Sequence, residues 1–209
     1  NHASWKDIRV LGAIADVVFI AKTEVARWPV FGLLARLQKS IFVVREQKRR
    51  TGDQVSEIAE RMADGEIVVR GVAYRSPSTA AANALRLQGT TSDGNRVLDV
   101  KTSLFGAAAA ALPLAPEGVV YVQPVAIAYT RVHGMPMGRY HRPIAGWPGD
   151  VRMVPHLLGV LKAGAIDVDV SFGEVVEYRQ GGNRKQVAAL VEKRIRSMLL
   201  DHLRGRLWR

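Results

Sequence analysis

Cysteine is absent from the 209 residues. That excludes disulfides, thiolate metal sites and a cysteine nucleophile, and it is compatible with a reducing compartment. Aromatic residues make up only 7%, which argues against base stacking as a binding mode. No apolar run reaches the ~18 residues of a membrane span. The most apolar stretch, Leu104 to Ala115, is alanine-rich and broken by Pro113. No signal-peptide pattern is visible. Acidic residues are in deficit, 19 against 30 Lys and Arg, for a net charge of +11. Such a balance suits nucleic acid, anionic lipid or phosphate-bearing substrates. No recognition-helix, aromatic-sheet or zinc-finger pattern is present, so no nucleic-acid partner is expected.

What is present is enough for a core. Apolar residues are 48% of the chain, and the length fits one domain. Short β-branched runs alternate with helical patterns. Val17–Ile20, Ser40–Val44 and Glu66–Val69 read as strands. Helices are expected at Trp5–Ile14, Lys22–Gln38 (kinked at Pro29) and Asp53–Ala63. This order predicts an α/β fold with a mostly parallel central sheet flanked by helices.

Further on, Thr102–Leu112 reads as an alanine-rich helix. Val119–Tyr129 is the longest β run, with a bulge or strand end expected at Pro124. Arg131–Asp150 reads as a long, partly ordered excursion. Its His133 and His141 lack ligand spacing and read as surface histidines, so no metal is expected. Val151–Lys162 is a helix. Ile166–Val170 alternates like an edge strand, with Asp167 and Asp169 solvated. A last helix runs from about Arg184 to Arg204, with Val187, Leu190, Val191, Ile195, Met198 and Leu199 as its apolar residues. The tail to Arg209, with Trp208, reads either as a contact to an anionic membrane or as a solvated basic end.

The chemistry is concentrated at the start, Asn1-His2-Ala3-Ser4-Trp5-Lys6-Asp7. A histidine with a carboxylate partner is the minimum equipment for general-base catalysis on a hydroxyl. Five helical residues turn through about 140°, so His2 and Asp7 meet only if His2 precedes the helix and Asp7 lies in its first turn. Ser4-x-x-Asp7 fits that as a capping pair. On these residues alone, a plain capping acid beside a terminal histidine stands as the alternative.

Asn-His-x-Ser-x-x-Asp resembles the His-x4-Asp motif of the glycerolipid acyltransferases, the group that includes 1-acyl-sn-glycerol-3-phosphate acyltransferase. Ile41-Phe42-Val43-Val44-Arg45 resembles that family's second block, and Val122-x-Pro124-Val125 its fourth. The third block departs. Arg86-Leu87-Gln88 stand where Phe-Pro-Glu is expected before Gly89-Thr90, and the preceding stretch 70–88 is an insertion or an altered segment.

The resemblance implies a single acyltransferase domain over residues 1–209, with an upstream membrane-anchoring segment outside it. It implies acyl transfer to the free hydroxyl of a lysophospholipid, lysophosphatidic acid giving phosphatidic acid; lyso-ornithine lipid and other lysolipids are equally compatible. It assigns His2 and Asp7 to catalysis, Arg45, Gly89 and Thr90 to the acceptor phosphate, and Val122, Pro124 and Val125 to the acyl-donor side. No cofactor is implied; acyl-CoA or acyl-carrier protein is the co-substrate. The expected location is the cytoplasmic face of the bacterial inner membrane, against an anionic surface. Two rival readings stand beside it. One is a catalytically impaired domain that binds lipid or membrane, supported by Gln88 and by His2 lying next to a chain end, where fraying is expected. The other is a nucleic-acid binder, supported by charge alone.

Overall fold

Strand β5, Val125–Val132, divides the molecule into two hydrophobic clusters. Side chains alternate across a strand. Ala126 and Ala128 point into one cluster, and Val125, Ile127 and Tyr129 into the other. The small residues leave room for a helix to lie close, and the large ones fill the space over the first helix.

The computed structural model describes residues 1, 3–15, 18–22, 32–33, 37, 41–43, 68–69, 92–99, 105–115, 117–147 and 151–205. Helix α1 is Asp7–Ile14. Strands β1 (Val18–Lys22), β2 (Ile41–Val43) and β3 (Val68–Val69) follow. Helix α2 is Phe105–Ala111, continued by a 3-10 turn at Leu112–Leu114. Then come β4 (Val119–Val122), β5, β6 (Met135–Pro136) and a 3-10 turn at Arg142–Ile144. Helix α3 (Met153–Ala163), β7 (Ile166–Phe172), β8 (Val176–Arg179) and helix α4 (Arg184–Leu203) complete the order.

The architecture is α/β, as expected. Parallel pairing is present where β1 lies between β2 and β3, with Ile20 opposite Ile41 and Val18 opposite Val68. The other described pairs, β4 with β8 and β5 with β6 and β7, are antiparallel. The expected predominance of parallel strands is therefore not met among the described residues. In the second half of the chain β5 turns into β6 through the hairpin at Val132–Met135, and α3 carries the chain across to β7 on the other side of β5.

Pro124 ends a strand, as expected. It cannot donate to a ladder, so β4 stops at Val122, and β5 starts at Val125 in another sheet. The Pro124 carbonyl accepts from Gly173 N at 2.8 Å, which fixes the joint. Helix α4 opens with Asn183, whose side chain accepts from Lys185 N and Gln186 N. It buries Ala188, Val191, Ile195, Leu199 and His202 at helical spacing.

Several expectations need correction. Lys22 closes β1 instead of opening a helix; Gly32, Leu33 and Leu37 of the expected second helix are helical, and its remainder lies outside the described residues. So do the expected helix at 53–63, the stretch 70–88 and residues 206–209 with Trp208. Leu190 is exposed, because it sits off the face that α4 packs inward. Residues 131–147 are more closely packed than the partly ordered excursion expected for Arg131–Asp150: Met137, Arg142 and Ala145 are buried. Strand β7 is an edge strand, but Asp169 is not solvated. Its Oδ2 is buried 3.9 Å from His202 Nδ1, and His202 Nε2 meets the Ser171 hydroxyl. His133 and His141 are exposed, as expected.

Candidate active site

The starting heptad is pinned to β5. The Asn1 main-chain nitrogen donates to Val125 O at 2.8 Å. Its side chain donates to Ile127 O at 2.9 Å and accepts from Ile127 N at 2.6 Å. Asn1 thus pairs with the strand as a backbone would, and it is buried, so the expected fraying is not met there. Ala3 is buried too, and its carbonyl accepts from Trp147 N at 2.6 Å. The residues on both sides of His2 are therefore fixed, while His2 itself lies outside the described residues.

Asp7 occupies the first position of α1 and is fully buried. Its Oδ2 accepts from the amides of Ala3 at 2.8 Å and Ser4 at 3.2 Å. The Ser4 hydroxyl accepts from Lys6 N at 3.4 Å, and Asp7 N donates to Ser4 O at 3.1 Å. The expected capping pair is met only in part: Asp7 reaches back to the Ser4 amide, but it is the first helical residue rather than the third, and no side chain caps the helix start at Lys6. The other carboxylate oxygen, Oδ1, accepts from the Tyr129 hydroxyl at 2.7 Å. Burial pushes the Asp7 carboxyl above the usual carboxylate range, and the hydrogen bonds from Tyr129, Ala3 and Ser4 oppose that rise. The same contacts that tie Asp7 to the turn before α1 and to β5 fix the orientation of its carboxylate.

Lys6 extends over the Tyr129 ring, with Nζ 4.6 Å from its centroid. Nζ is buried without a hydrogen-bond acceptor among the described residues. Burial lowers its pKa to about 8, with the Asp7 charge acting the other way. Trp5 turns to the opposite side and donates from Nε1 to His156 Nδ1 at 3.1 Å. His156 Nε2 faces the Gly146 carbonyl at 2.6 Å. An indole N–H only donates and a carbonyl only accepts, so His156 is the neutral tautomer with its proton on Nε2. Burial holds its pKa below the ordinary histidine value.

Arg142 closes the site from behind. Its guanidinium donates to Tyr129 O at 3.3 Å and Met137 O at 2.6 Å, and also to the Asn95 side chain. That last contact draws in the loop at 92–97. Gly94 has φ +81°, and a Cβ there would meet Arg142 Cγ at 3.1 Å. Gly146 packs against the same loop, where a Cβ would lie 2.6 Å from the Asp93 carbonyl carbon. The loop that follows Gly89 and Thr90 therefore lies beside Ala3 and the heptad. Arg45, Gly89 and Thr90 themselves lie outside the described residues.

Val122 and Val125 fall in different hydrophobic clusters, with Pro124 at the joint between them. Tyr129, Arg142 and His156 were missed by sequence reasoning. Tyr129 had a usable signal, since it falls on the same strand face as Val125 and Ile127. Arg142 had none in a stretch rich in basic residues, and His156 sat within an apolar helix.

The α/β fold agrees with the comparisons. Residues 1–128 match the Acyltransferase family model, and the chain belongs to that family. Two relatives are both named lyso-ornithine lipid O-acyltransferase. The one from Rhizobium meliloti is 64% identical over 206 residues, which are 99% of this chain and 65% of the relative. The one from Brucella abortus is 52% identical over 206 residues, which are 99% of this chain and 72% of the relative. The chain thus spans about two thirds of their length. Among solved structures, the 1-acyl-sn-glycerophosphate acyltransferase PlsC from Thermotoga maritima superposes with a TM-score of 0.57 at 21% identity, covering 96% of this chain and 63% of that one. At that identity the likeness is one of fold.

Proposed function

We propose that the protein is an O-acyltransferase that moves a fatty acyl group from a thioester donor, acyl-CoA or acyl-carrier protein, to the free hydroxyl of a lysolipid. The observation that carries this is Asp7, buried and bound on both oxygens, in a heptad whose residues flanking His2 are held against β5. In this reading Asp7 orients the His2 ring and stabilises its cation. His2 takes the proton of the acceptor hydroxyl. The oxygen attacks the thioester carbonyl, a C–O bond forms, the C–S bond breaks, and the thiolate leaves with the proton from His2. No covalent enzyme intermediate is involved.

The relatives' names favour lyso-ornithine lipid as acceptor over lysophosphatidic acid. The two differ in headgroup, a phosphate in one and the amino acid ornithine in the other. Arg45 suits either as a partner for an anionic oxygen. Val122, Pro124 and Val125 are proposed to border the acyl-donor side, and the location is the cytoplasmic face of the inner membrane. Gln88, in place of the family glutamate, supports the second reading of an impaired, lipid-binding copy.

Transfer of a labelled acyl group to each acceptor, from each donor, tests the proposal. The chain is run beside a version with residues 70–88 replaced by Leu-Phe-Pro-Glu. Transfer by the unaltered chain, faster to lyso-ornithine lipid, is expected. Transfer by the replaced version alone would favour the impaired copy. Transfer by neither would overturn the enzyme reading.

A further inference from the structure

Helix α3 carries an apolar face that points away from the protein. Val154, Leu158 and Leu161 are 67%, 52% and 67% exposed. At 100° per residue these three lie within about 60° of one another. His156, bonded to Gly146 and Trp5, lies on the opposite side and fixes which face is inward. None of the helix's residues is fully buried. Gly164, with φ +66°, ends the helix against the His133 ring, where a Cβ would come within 2.7 Å of Cε1.

The sequence around this helix is basic. From Arg131 to Ile166 it holds Arg131, Arg139, Arg152 and Lys162, besides the buried Arg142, and a single acid, Asp150. Arg152 and Lys162 flank the apolar stripe at its two ends. A helix with an apolar outer face and basic ends is the pattern of an element that lies in the plane of a lipid interface.

We infer that α3 is a membrane-docking helix, which seats Val154, Leu158 and Leu161 among the acyl chains of an anionic bilayer and sets Arg152 and Lys162 at the headgroups. The helix is not remote from the site. Through the Trp5–His156 bond its inner face rests on the starting heptad, so docking brings the heptad to the bilayer that holds a lysolipid acceptor. The choice of lipid over a protein partner rests in part on the acyl-transfer reading, so docking is measured without turnover.

The test is co-sedimentation with vesicles of phosphatidylcholine alone and of equal parts phosphatidylcholine and phosphatidylglycerol. Parent protein is expected to bind the mixed vesicles, with binding weakened by salt. Leu158→Glu/Leu161→Glu is expected to reduce the apparent partition at least about tenfold with an unchanged circular dichroism melt. Leu190→Glu, which adds a charge on exposed α4, is expected to leave binding near the parent level. The proposal is overturned if the double variant binds as the parent does, if Leu190→Glu weakens binding equally, or if the parent binds no vesicles. It is also overturned if the double variant turns a dimer into a monomer without changing vesicle binding, since the face would then join two copies. Transfer to a soluble short-chain lysolipid separates the two ideas. Its loss in the parent would count against the acyl-transfer reading while leaving the vesicle result to stand.

Discussion

The Tyr129 hydroxyl donates to Asp7 Oδ1 at 2.7 Å and so joins residues 122 apart in sequence. It makes β5 the support for the carboxylate. Tyr129→Phe removes one donor from a buried acid and is expected to cost about 1–2 kcal/mol of stability. The Asp7 carboxyl, already raised by burial, rises further without that donor. The acid limb of the kcat/KM profile is therefore expected to move to higher pH. An unmoved limb would show that ionised Asp7 does not govern turnover.

Lys6 is held partly buried over Tyr129 at a pKa of about 8, below its ordinary 10.5. The folded protein thus disfavours the lysine cation. Its contribution to stability is fullest above the unfolded value and is lost as pH falls through the folded one. Lys6→Met removes that penalty and keeps the stem. Solvent screening of a partly exposed group holds the expected gain at pH 7 to about 1 kcal/mol. Chemical denaturation at pH 7 and pH 10.5 checks it: the gain is expected to shrink at the higher pH.

His156 is neutral and serves both Trp5 and Gly146. Its folded pKa is depressed by burial, so its stabilising contribution is present above the ordinary histidine value and lost as pH falls below it. His156→Leu removes the acceptor that the Trp5 indole uses here. It is expected to cost about 1 kcal/mol at pH 7.5, and less at pH 5.5, where the parent has itself lost stability. An equal cost at both values would rule out a titrating role for His156.

Gly146 lies against the Asp93 main chain, where a Cβ would come within 2.6 Å of both the carbonyl carbon and its oxygen. Backbone cannot yield as a flexible side chain can. Gly146→Ala is expected to cost about 2–3 kcal/mol by displacing the 92–97 loop. Gly134→Ala, with no atom within 4 Å of the added carbon but φ +74°, is expected to cost about 1 kcal/mol through backbone strain alone. Thermal melts of the two variants compare them directly.

These relationships show what could be seen in the sequence. Local signals were legible: the Ser4–Asp7 contact, the strand break at Pro124, the apolar face of α4 and the β7 alternation all depend on residues close in the chain. Pairing direction was less so, because short apolar runs look alike in parallel and antiparallel ladders. The contacts that build the site join distant residues, Tyr129 to Asp7, His156 to Trp5 and Arg142 to Asn95. Nothing local marks their partners. Arg142 in particular reads as one more surface cation until the chain folds around it.

Ionised Asp7 costs the fold stability, since burial raises its pKa above the unfolded value and the penalty grows as pH rises through that range. Asp7→Asn removes the charge but keeps the hydrogen bonds. Its oxygen accepts from Ala3 and Ser4, and its amide donates to the Tyr129 oxygen. The variant is expected to be at least as stable as the parent at neutral pH and to lose about 10²–10⁴ in acyl transfer.

The most direct measurement is acyl transfer by His2→Ala beside Asp7→Asn and the parent, each with its melting curve. Melts at the parent's temperature or above, with turnover of both variants down about 10²-fold or more, are the expected result. Turnover of His2→Ala close to that of the parent would contradict the assignment of the heptad as the catalytic centre.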